Sequence, residues 1–202
     1  MGYKNDVFIS YNHRYQSWLQ DSFLKLFEQY LSETVNYDVK IFVDYHKIQG
    51  GDDWDKRIKN ELIHSKCLVS VYSPAYFRSE WCVKEFAIMD FRQKECGYRT
   101  LENPNGIIIP LNIYDGIHFP DYAKEIQYKD FRDYTWDGIK TTELYLPFQK
   151  TLADYVKVVA NSIQIAPAWN QNWLSDEAKW IEQPSKNYPL NENEVKIPQP
   201  TL

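Results

Sequence analysis

Four short apolar runs, set apart by stretches of a different period, constrain this chain more than any other feature. Asp6 to Tyr11 (DVFISY) is a continuous apolar run framed by polar residues. That pattern marks a strand buried on both faces. Val39 to Val43 (VKIFV), Cys67 to Tyr72 (CLVSVY) and Gly106 to Asn112 (GIIIPLN) read as strands two to four. Pro110 argues for an end or edge position in the last of these, because proline cannot donate to a ladder. Asp115 to Glu125 reads as a loop, and Ile126-Gln127-Tyr128 as a short fifth strand.

Between these runs the apolar spacing changes to three and four, the period of an amphipathic helix. Tyr15 to Leu31 carries Trp18, Leu19, Phe23, Leu26, Phe27 and Tyr30 on one face. Trp54 to Ile63 turns Trp54, Ile58 and Leu62 inward, with Ile63 a further candidate. Ser79 to Glu95 reads as a third helix with Ser79 as N-cap. Thr142 to Ile165 turns Leu144, Phe148, Leu152, Tyr155, Val156, Val159 and Ile163 inward. Strands alternating with helices predict an α/β fold with a mostly parallel sheet covered on both faces. Ligands in such folds bind beyond the carboxyl ends of the strands. That singles out the loops after Tyr11, Val43 and Tyr72, and the start of the third helix.

One carboxylate stands out there. Glu85 follows Trp81 by four residues in SEWCVKEF, so the two share a helix face. A carboxylate beside an indole in a partly apolar setting points to function. The plain alternative is a solvated helix residue.

The remaining features exclude more than they assign. The 202 residues suit one domain with some extra chain. The net charge of −5 comes without a basic block, which argues against nucleic acid as partner. Cys67, Cys82 and Cys96 form no CxxC pair, which predicts no metal site and fits a reducing compartment. No apolar run is long enough for a membrane span, and no signal peptide opens the chain. A cytoplasmic setting is expected. Five of the ten prolines and the tryptophans Trp169, Trp173 and Trp180 fall in the last 36 residues. The division expected is 1–166 as the domain and 167–202 as a Trp/Pro-rich tail. That tail packs on the body or a partner, and runs from Pro184 as an extended linker, with room for a further domain beyond it.

Taken together, DVFISY, IFVDYHKIQGGDDW, CLVSVYSPAYFRSEWCVKEF and GIIIPLNIYDGIHFP followed by IQYKDF resemble the Toll/interleukin-1 receptor (TIR) domain of the bacterial kind. The resemblance spans about residues 4–165. It implies a flavodoxin-like fold with five parallel strands and helices on both faces. It also implies one of two functions. Many TIR domains cleave the nicotinamide–ribose bond of NAD+, in bacteria as part of anti-phage immunity. Others are non-catalytic adaptors that work through TIR–TIR contacts. The enzymes carry a W-x-x-x-E pattern, matched by Trp81 and Glu85, and adaptors often lack the glutamate.

On that resemblance Glu85 is the catalytic residue. Tyr11, His13 and Arg14 in the first loop, Asp44 and Lys47 at the second, and Trp81 are substrate contacts. NAD+ is then a substrate, consistent with the absence of GxGxxG and GxxxxGK[ST], and no cofactor is expected. Gln49 departs from some active members, which have an acidic or basic residue there. Plainer roles stand beside these: core packing for Trp81, loop capping for Asp44, a surface charge for Arg14, turn geometry for Gly50-Gly51. A nucleotide sensor without turnover is a third reading.

Overall fold

The computed structural model describes residues 2–44, 54–136, 138–174 and 188–190. Five strands form one sheet: β1 (Asn5–Ser10), β2 (Ile41–Val43), β3 (Ser65–Tyr72), β4 (Ile108–Asn112) and β5 (Lys129–Asp130). Their order is β2-β1-β3-β4-β5, and every neighbouring pair is parallel. Among the described residues seven α-helical segments accompany them: α1 (Gln16–Trp18), α2 (Lys25–Val35), α3 (Trp54–Ile63), α4 (Pro74–Phe77), α5 (Glu80–Glu95), α6 (Asp121–Lys124) and α7 (Tyr145–Gln164). α2 packs against α7, and α3 against α5, which gives the two covering layers.

The first helical stretch shows how spacing sets geometry. Leu19, Phe23, Phe27 and Leu31 are all fully buried and are separated by four residues each. An α-helix has 3.6 residues per turn, so that stripe would drift round its surface. The turns widen to π geometry over Leu19–Leu24, between α1 and α2, and the stripe stays on the core. Phe23 and Phe27 stack at 5.0 Å, and Tyr155 of α7 closes on them at 6.5 and 6.2 Å. Each buried aromatic of this kind contributes about 1.5–3 kcal/mol. Asn36 ends α2 in the left-handed conformation, its N–H bonded to the Ser32 carbonyl.

Four expectations need correction. Pro110 lies in β4, which is an interior strand. Ile113 N bonds back to β3 and Asn112 O accepts from Phe131 N beyond β5, so even-numbered β4 residues face β5. β5 pairs only with Leu111 and Asn112, so the missing Pro110 donor meets no strand. The fifth strand is Lys129–Asp130, since Ile126 N is taken by Ala123 O in a turn and its side chain is buried. The stretch expected as loop before it contains α6. Leu144 precedes α7 and is exposed, whereas the other six inward residues named for that helix are buried.

α5 is covered on nearly every side, with ten of its sixteen residues buried. The sheet and α3 cover part of it, and the tail covers another part. Trp173 is buried against the Arg92 guanidinium at 5.0 Å. Tyr188 lies in the stretch expected to be an extended linker, yet it is buried among Phe86, Phe91 and Tyr122. Its hydroxyl donates to Asp90 Oδ2 at 2.5 Å.

Candidate active site

The strand order reverses between β1 and β3, and the crevice beyond their carboxyl ends is where this topology receives a ligand. β1 ends there in Ser10, followed by Tyr11. After β3, Ser73 caps α4 by accepting from Tyr76 N at 3.1 Å, with Pro74 preset for the first turn. Ser79 then caps α5, accepting from Cys82 N at 3.4 Å. Asn12 ties the two loops, donating from Nδ2 to Ala75 O at 3.0 Å. This local chemistry sets Ser10, Tyr76 and Glu85 side by side.

Glu85 is only 7% exposed. Ser10 Oγ donates to its Oε2 at 2.5 Å, and Ser10 Oγ is itself 2.9 Å from the Tyr76 hydroxyl. Burial pushes the Glu85 carboxyl up to about 8; the Ser10 bond opposes this, and the nearby Asp44 carboxylate adds to it. Asp6 makes the contrast. It too is buried, and burial would raise it. Yet it accepts from Lys40 N at 3.0 Å, Lys66 Nζ at 2.7 Å and the Tyr37 hydroxyl at 2.9 Å, and these hold it below the usual carboxylate range. One carboxylate is fully served at the opening of the sheet. The other is underserved at the carboxyl end of the strands, which makes it the candidate functional carboxyl.

The residues singled out from the sequence divide into groups. Tyr11 is buried; its hydroxyl donates to the Asp44 backbone carbonyl at 3.0 Å, and its ring stacks on His13 at 5.5 Å. Asp44 is buried and acts electrostatically on Glu85. Tyr11, Asp44 and Glu85 are thus brought together. His13 and Arg14 are exposed at the rim, with the Arg14 backbone N–H donating to Asn12 Oδ1. Trp81 is half-buried, and the Lys84 ammonium sits over its ring at 4.8 Å while pairing with Glu80 at 2.7 Å. Lys47, Gln49 and Gly50-Gly51 lie outside the described residues.

Two site residues escaped the sequence reading, Ser10 and Tyr76. The available signal was the polar end of an otherwise apolar strand, and an aromatic just after a Ser-Pro helix start. Cys82 Sγ contacts the Tyr11 carbonyl at 3.5 Å, and burial raises its thiol far above the reactive range. Among the described residues no cluster of three His, Cys, Asp or Glu is arranged to hold a metal ion, and no helix is long and apolar enough to cross a membrane.

The chain was compared with known proteins. A family model described as "TIR domain" matches residues 7–144. No curated protein matches the chain. Among solved structures, the TIR domain of the Toll-related receptor TRR-2 from Hydra magnipapillata is similar, with 19% identity and a TM-score of 0.45. That match covers 76% of this chain and 99% of that one. The TIR domains of the activated Roq1 resistosome recognising the effector XopQ are also similar, with 19% identity and a TM-score of 0.38. Coverage is 91% of this chain and 99% of that one.

Proposed function

The chain belongs to the TIR-domain family, and on that premise we propose that it is an NAD+ nucleosidase with Glu85 as its catalytic residue. The observation that carries this reading is the buried, underserved carboxyl of Glu85 at the β1/β3 crevice. The nicotinamide–ribose bond suits such a group. Its leaving group is already a cationic pyridinium, so no general acid is needed. The C1′–N1 bond breaks, and its electron pair leaves with neutral nicotinamide. Water then adds to C1′ and gives up a proton, yielding ADP-ribose, or an atom of the same ADP-ribose unit adds and closes a cyclic isomer. One carboxylate facing the oxocarbenium-like transition state supplies the electrostatic stabilisation.

Asp44 strengthens the negative field at that carbon, and Tyr11 holds Asp44 from behind. Trp81 covers the nicotinamide. His13 and Arg14, at the exposed rim, meet the pyrophosphate. Lys47 is assigned to the border of the site on family resemblance alone. NAD+ is a substrate here, with no cofactor. A second copy of the domain completes the site, so self-association activates it. The setting proposed is bacterial anti-phage immunity in the cytoplasm.

The test is incubation of concentrated protein with NAD+, with and without forced oligomerisation, and chromatography of the products. Nicotinamide release that depends on Glu85 supports the proposal. Release unchanged in Glu85→Ala sinks the catalytic assignment. Self-association without any turnover favours a non-catalytic TIR–TIR adaptor, and NAD+ binding without release favours a sensor.

The raised Glu85 carboxyl also predicts a pH profile. Only the ionised form stabilises a cationic transition state, so kcat/KM rises with pH and levels off above about pH 8. The cationic nicotinamide ring of bound NAD+ favours ionisation, so the same limb in kcat lies at lower pH. A flat profile from pH 6 to 9 would contradict Glu85 as the group that must ionise.

A further inference from the structure

We propose that Ser10 and Tyr76 form a hydroxyl relay that orients Glu85 Oε2 and stabilises its ionised form, making both of them positioning residues for the reaction. The inference rests on the NAD+ reading of the site and assigns two residues that the motif does not contain. Three elements supply the three groups: Ser10 ends β1, Tyr76 lies in α4, and Glu85 lies in α5. Ser10 and Tyr76 are 1% and 0% exposed. Each is held independently of the other. Ser10 is in ladder register with Ser70 of β3, and Tyr76 is held by the Ser73 cap.

A serine hydroxyl has one proton to give and two lone pairs to accept with. With Glu85 ionised, Tyr76 O–H donates to Ser10 Oγ, and Ser10 O–H donates to Glu85 Oε2. Both bonds then point their positive ends at the carboxylate, and each polarises the next. Among the described residues Ser10 is the one hydrogen-bond donor to Glu85. The titratable groups that face Glu85 from the packed elements are Asp44 after β2, which raises it, and Tyr76 in α4 and Cys82 in α5, both raised in turn by the Glu85 charge. Burial raises Tyr76 and Cys82, so both keep their protons over the working range. The relay is thus set against Asp44 in deciding the charge on Glu85.

Stability alone does not require the pair. Replacing both partners of a buried hydrogen bond by apolar groups of the same shape is nearly neutral. Removing one partner alone, as in the variants below, leaves a buried group unpaired at about 1–3 kcal/mol, so the relay is read from titration midpoints, which a loss of stability alone does not move.

The experiment compares Ser10→Ala, Ser10→Cys and Tyr76→Phe with the unaltered chain in NAD+ turnover across pH. Ser10→Ala is expected to move the acid limb of kcat/KM upward by about one pH unit, the size of one lost charge-assisted bond, and so to lower kcat/KM near neutral pH roughly tenfold, with a smaller fall in kcat, whose limb lies at lower pH. Tyr76→Phe moves the limb the same way by less, and Ser10→Cys, a weak donor of similar shape, falls between. A loss of rate that is uniform in pH, or a profile that does not change, overturns the relay. Titration of the Glu85 carboxyl by 13C NMR, assigned with Glu85→Gln, gives a readout without turnover. If the unaltered protein releases no nicotinamide, the proposed function fails. The hydroxyl grip on Glu85 then stands if the Glu85 midpoint rises in Ser10→Ala, and falls if it does not.

Discussion

Glu85→Gln is expected to yield a protein that is inactive on NAD+ and more heat-stable than the unaltered chain at alkaline pH. The activity side follows from charge. Glutamine keeps the shape and still accepts from Ser10, but it cannot oppose a developing cation, so nicotinamide release falls at least about a hundredfold. The stability side follows from linkage. Burial pushes the Glu85 carboxyl from the ordinary 4.5 of a free glutamate up to about 8 in the fold. Below about pH 4.5 it is protonated in both the folded and unfolded chain and contributes no difference. Between the two values the unfolded chain has lost the proton and the folded one keeps it, so stability falls as pH rises. Above about pH 8 the whole penalty is present.

At about 1.4 kcal/mol per pH unit that penalty has a ceiling of about 5 kcal/mol. Half of it corresponds to a rise in Tm of roughly 5–10 °C for a chain of this size. Thermal melts from pH 5 to 9 read the effect directly. The Tm advantage of Glu85→Gln should be small at the acid end and largest at the alkaline end. An advantage that is constant in pH would mean that Glu85 is not held protonated by its surroundings. A mutation that removes function and adds stability marks a site where the fold bears strain for chemistry.

The strands were legible because burial on both faces leaves a plain mark. DVFISY and CLVSVY have no way to alternate when helices cover both sides of the sheet, and both became interior strands. β5 was misread because Ile126 and Tyr128 look more strand-like than Lys129-Asp130. Its two residues owe their position to β4 and not to their own propensity. Pro110 was misjudged for a related reason: sequence shows the missing donor but not which neighbour it faces. The carboxylate of the candidate site was legible through its spacing from Trp81. Its partners were not, because Ser10 lies 75 positions away and meets it only through the crossover from β1 to β3, and Tyr76, 9 positions away, only through the turn between α4 and α5. Tyr188 was hidden in the same way. Proline-rich composition signals extended chain, and says nothing about one tyrosine filling a gap over Phe86.

Arg92→Ala is expected to be the most destabilising single change in the described body. Arg92 is fully buried in the last turn of α5. Its guanidinium donates to the carbonyls of Ser65 at 2.9 Å and Lys66 at 2.7 Å, and reaches Ile63 O at 3.4 Å. These are the last turn of α3 and the start of β3, where carbonyls lack partners of their own. The rings of Trp173 at 5.0 Å and Tyr3 at 5.9 Å close over the cation. Truncation removes the stem, orphans buried carbonyls and leaves a cavity, at a cost of about 3–5 kcal/mol. The corresponding fall in Tm is roughly 10 °C. Arg92→Met restores the stem but none of the donors, so it should recover only part of the loss. Trp173→Ala tests whether the tail shares in this anchor. A desolvated cation–π contact is worth about 2 kcal/mol, and residues in direct contact do not contribute additively. The double variant should therefore lose less than the sum of the two single losses. Strict additivity would mean that Trp173 and Arg92 stabilise the protein independently, and that the tail is not anchored to α5 through this cation.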